Sequence, residues 1–65
     1  MNPYHVLQAR IEARAKLFAA GEYETLLEAI VPLATYADNT GITDDIGPEN
    51  VMAMILKEFG VDANG

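Results

Sequence analysis

Apolar side chains recur at three- and four-residue spacing along three stretches of this chain, with breaks rich in glycine, proline and acids between them. In the first stretch Tyr4, Leu7, Ile11, Ala15 and Phe18 make one stripe, with Gln8, Glu12 and Lys16 on the wetter side. In the second, Leu26, Ile30, Leu33, Ala34 and Ala37 share a face, flanked by Tyr23, Leu27 and Val31. The third carries Val51, Met52, Ile55, Leu56 and Phe59, and Met54 widens its stripe. Each is the signature of an amphipathic helix.

The breaks place the ends. Asn2 before Pro3 starts a helix well, because the Asn side chain accepts from an amide of the first turn and proline stands where its missing donor costs nothing. Gly21 suits the left-handed position beyond the end of that helix. Glu22 and Glu24 then put negative charge at the start of the second, and the two form an antiparallel hairpin. Pro32 interrupts the second pattern, yet the apolar phase carries on across it, which predicts one helix with a kink. Asp38-Asn39-Thr40-Gly41 stops that helix, and a loop follows in which Ile42 and Ile46 tuck back onto the hairpin. Pro48 and Glu49 open the last helix and Gly60 ends it. The predicted fold is therefore all-α, a small three-helix bundle with helices over about 3–20, 22–37 and 48–59. One domain spans the chain, with a frayed tail over about 61–65.

The chain has 65 residues and no Cys. A core this small exceeds its entropy cost only narrowly, and neither a disulfide nor a thiolate zinc site can help it. The opening MNPYH carries no basic segment leading into a long apolar run, so no secretory signal is expected, and a cytoplasmic protein is the default reading. Net charge is −6 and is unevenly placed. Residues 1 to 20 carry Arg10, Arg14 and Lys16 against Glu12, a net +2, whereas the rest carries Lys57 against nine acids, a net −8. Such a balance disfavours nucleic acid and anionic membranes as partners.

Chemistry has little to work with. There is no Ser and no Cys, and the one histidine, His5, falls on the polar side of the first helix. No catalytic residue, metal ligand or cofactor is therefore assigned. The acidic stretch from Asp38 to Glu49 has the length of a calcium loop, but Ile42 and Thr43 stand where a ligand and a glycine are required. Read as a helix-turn-helix, the last helix offers Lys57 against Glu49 and Glu58 and does not complement phosphate.

The apolar faces themselves are broader than one neighbour in a small bundle needs, the third helix most clearly, and the second is too apolar all round for one neighbour to cover. The expected function is a non-catalytic interaction or assembly module, either a homodimer or an adaptor docking to another protein. Candidate interaction residues are Arg10, Arg14, Leu17, Tyr36, Met52 and Met54. The two arginines flank the first stripe, where they either line a solvated helix edge or anchor a partner's carboxylate. Tyr36 falls off the main face of the second helix, and the methionines suit either a core or an adaptable interface. The alternative is a small acidic regulator that binds a basic surface of a nucleic-acid-handling protein through Glu22, Glu24, Glu28, Asp38, Asp44, Asp45 and Glu49.

Overall fold

A computed structural model describes residues 2–61, which form four helices and no strand. These are α1 (Pro3–Ala19), α2 (Leu26–Asn39), α3 (Ile42–Ile46) and α4 (Pro48–Phe59). The architecture is the expected all-α bundle: α1 packs against both α2 and α4, α2 touches α4, and α3 bridges α2 and α4. The molecule measures 30 × 27 × 15 Å along its principal axes, so it is flat enough that each long helix keeps an outer face in solvent.

Local chemistry explains most of the boundaries. The Asn2 side chain accepts from the Tyr4 amide at 2.9 Å, as its position before Pro3 requires. At the other end of α1, Gly21 is left-handed (φ 82°). Its amide donates to the Phe18 carbonyl and the next amide, of Glu22, to the Leu17 carbonyl, both at 3.0 Å. Two carbonyls left over by the helix are satisfied in this way. Gly60 ends α4 with the same pair of bonds, from Gly60 to Lys57 and from Val61 to Leu56.

Three expectations need correction. The second helix starts at Leu26 and not near residue 22, because Thr25 is its cap: the Thr25 hydroxyl accepts from the Glu28 amide at 3.3 Å. Glu28 in turn reaches back to accept from the Glu24 amide at 3.1 Å, a variant of the reciprocal capping box written in the sequence as Thr-Leu-Leu-Glu. Glu22 and Glu24 thus lie in the connection, outside the first turn. The same helix also runs past Ala37 to Asn39, with Thr40 donating to the Tyr36 carbonyl at 2.8 Å. Lastly, the acidic loop contains a single helical turn, α3, which presses Ile42 into the core and packs Ile46 against it. α2 continues unbroken through Pro32, which sits on the exposed side. There the Glu28 carbonyl, deprived of its amide donor, can be met by water. Of the tail placed at 61–65, residues 62–65 lie outside the described residues.

Leu7 and Ile11 of α1, Ile30, Leu33 and Ala37 of α2, Ile42 of α3, and Val51 and Ile55 of α4 form one buried cluster. Tyr4, Leu26, Tyr36, Met54, Leu56 and Phe59 pack on its margin. Phe18 and Phe59 meet at a ring distance of 5.5 Å with a 41° tilt, which joins the C-terminal ends of α1 and α4. No polar or charged residue is buried among the described residues.

Candidate interaction surface

The two arginines singled out from the sequence lie along the seam between α1 and the α2 segment, and each meets a tyrosine. The Arg10 guanidinium stacks over the Tyr36 ring at 4.5 Å from its centre. Arg14 lies over Tyr23 at 5.6 Å, and its Nη1 donates to the Tyr23 hydroxyl oxygen at 3.2 Å. A guanidinium attracts the negative face of an aromatic ring, and such stacks contribute about 0.5–1 kcal/mol at exposed sites. Arg14 is partly buried and Arg10 exposed. Both therefore hold Tyr23 and Tyr36 against α1, and Arg10 still presents the edge of its guanidinium, where the N–H donors lie, to the outside.

The remaining candidates separate. Met54 is partly buried and packs on the core, whereas Met52 is 37 % exposed and Leu17 45 %. Neither matches the exposure on α2, where Leu27 stands 68 % and Val31 54 % open. The helical spacing alone places these two on the flank of the core stripe, outside the candidate interaction residues. They are one helical turn apart on the side of α2 away from Leu33 and Ala37, so they form a continuous apolar ridge. Its signal was present in the sequence as apolar residues at positions that the core phase does not reach.

On α1 the outer surface carries an open apolar patch formed by His5, Val6, Ala9, Arg10 and Ala13 of the one helix. Ala9 and Ala13 are exposed there, as are His5 and Arg10. A second, more polar hollow of about 340 Å³ lies where Glu12, Lys16 and Glu58 border Ala15 and Ala19, between α1 and α4.

The Tyr4 hydroxyl donates to Asp45 Oδ2, tying the start of α1 to α3. That hydrogen bond, then desolvation, then the charge of Asp45, raise the Tyr4 pKa above its ordinary 10.0. The neutral phenol is the bonded form, so the contact contributes stability below about pH 10 and loses it as pH rises through the raised folded value. Phenolate absorbance should accordingly show Tyr4 titrating later than a free tyrosine, and Asp45→Asn should bring it back toward the ordinary value.

Among the described residues, no three His, Cys, Asp or Glu side chains come together as a metal site, and no helix is long and apolar enough to cross a membrane. No protein-family model, curated protein or solved structure matches the chain.

Proposed function

We propose that the chain is a small non-catalytic interaction or assembly module, acting as a homodimer or as an adaptor on another protein. The observation that carries this reading is the ridge of Leu27 and Val31, two large apolar side chains left mostly in water on a helix whose opposite face already fills the core. Moving a Leu or Val fully out of water is worth about 1.5–3 kcal/mol, so a partner surface that covers both gains affinity at little conformational cost. Helix α2 is held in place by its cap and by the core, so the ridge is presented preformed.

The acidic-regulator reading retains support from exposure: Glu22, Glu24, Glu28, Asp38, Asp44, Asp45 and Glu49 are all solvent-exposed. Salt separates the two. Binding through carboxylates weakens steeply between low and high ionic strength, and apolar docking hardly changes.

The test is sedimentation of the purified chain, alone and with proteins recovered by affinity capture, against the Leu27→Gln/Val31→Gln variant at two salt concentrations. Complex formation that persists in high salt and disappears in the variant is expected. A chain that stays monomeric and binds nothing at either salt overturns the module reading. Complexes that the variant keeps and salt abolishes favour the acidic surface.

A further inference from the structure

The exposed pair Leu27 and Val31 is bordered by carboxylates at both ends. Glu28 stands three residues before Val31 and so beside it on the helix surface. Glu24 is held close to Glu28, because its amide donates to Glu28 Oε2 at 3.1 Å. At the other end Asp38 follows Val31 by seven residues, two turns on and along the same side of α2. All three acids are exposed. The segments around them supply no cation, since residues 17 to 56 contain no Lys, Arg or His and seven acids. Arg10 meets α2 at Tyr36, nine residues from Leu27 and therefore half a turn round the helix from it.

From this apolar pair set between carboxylates we infer that its occupant is a different protein, which brings a surface of large apolar side chains bordered by Lys or Arg. The inference rests on the interaction-module reading and selects its adaptor form over the homodimer. In a two-fold pair the same patch faces itself. Two such ridges laid together, in either direction, would bring Glu24, Glu28 and Asp38 of one copy against the same acids of the other, with no base of α2 to separate them. A partner with cations at its border covers the apolar pair and meets the carboxylates at the rim. Exposed rim pairs contribute little affinity each, but they fix orientation and speed encounter. Leu27 and Val31 thus hold the partner, and the acids choose it.

The probe is a synthetic amphipathic helix whose leucine face is bordered by lysines, with a control peptide in which glutamates replace the lysines. Binding of each labelled peptide to the full chain is followed by fluorescence anisotropy. The lysine peptide should bind and the glutamate peptide should not. Leu27→Gln/Val31→Gln should weaken the lysine peptide about 100-fold, roughly one factor of ten for each side chain left uncovered. Glu24→Gln/Asp38→Asn, which leaves the capping residue Glu28 in place, should weaken it less than about tenfold and flatten its dependence on salt. Circular dichroism checks that each variant keeps the bundle, and the single substitutions Leu27→Gln and Asp38→Asn serve if a double variant unfolds. Equal binding of the lysine peptide to wild type and to Leu27→Gln/Val31→Gln would reflect only the attraction of a chain of net charge −6, and overturns the proposal. So does failure of both peptides to bind, or equal binding of the two. A wild type that sediments as a complex with itself through Leu27, or a captured complex that needs Leu27 and Val31 but not the acids, overturns the cationic partner and leaves the module reading standing. A chain that binds nothing in any of these measurements overturns both.

Discussion

Large apolar residues stand on both sides of α2 and meet opposite fates, while its charged residues, Glu28 and Asp38, lie only on the outer side. One side places Ala29, Ile30, Leu33 and Ala37 in the core, and the other leaves Leu27 and Val31 in water. Hydrophobicity alone does not distinguish them. What does is the direction from which α1, α3 and α4 arrive: the core cluster draws on all four helices but meets α2 along one stripe. The apolar residues beyond that stripe remain as surface. A helix can thus contribute to stability with one side and to recognition with the other, and only the first side is tied to the energetics of folding.

That contrast can be broken most severely from the inside. Leu33 is fully buried, and Leu33→Ala should cost about 2–5 kcal/mol through lost transfer energy and the cavity left behind. In a domain of this size such a loss should remove most of the folded population in a urea titration. Between the two sides stands Pro32, exposed within α2. Replacing it with alanine returns an amide donor to the helix, and the expected gain is about 1–2 kcal/mol. The intrinsic helix penalty of proline, about 3 kcal/mol, is partly offset by the stiffness proline gives the unfolded chain. A lower thermal midpoint for Pro32→Ala would instead mean that the stiffness proline gives the unfolded chain outweighs the missing donor. The smallest effect belongs to the outer side. Leu27→Gln or Val31→Gln should change monomer stability by less than about 0.5 kcal/mol, as expected of exposed positions, while the association assay changes completely. Equal losses on the two sides would show that the ridge is part of the core after all.

Much of this fold was legible from spacing and punctuation. The cap at Asn2 and the left-handed glycine at position 21 follow from local rules that act within a few residues, and the continuity across Pro32 and the inward turn of Ile42 and Ile46 from the apolar pattern. The start of α2 was readable as well, since Thr25 and Glu28 stand at capping-box spacing, but the acids at 22 and 24 offered a competing start. The five-residue α3 was not readable, because so short a helix is marginal by itself and is held by Ile42 in the core.

The candidate surface divides along the same line. From the sequence alone it followed that α2 is more apolar than one neighbour can cover, that Arg10 and Arg14 flank the α1 stripe, and that the chain has no Ser and no Cys. Which apolar residues remain outside, and what the arginines meet, was decided only by tertiary structure. Packing directions are collective: whether Leu27 or Met54 is covered depends on helices distant in sequence, and the stacks of Arg10 on Tyr36 and Arg14 on Tyr23 exist because the hairpin brings those residues face to face. Periodicity fixes which residues share a face, and only the arrangement of the helices determines which faces meet.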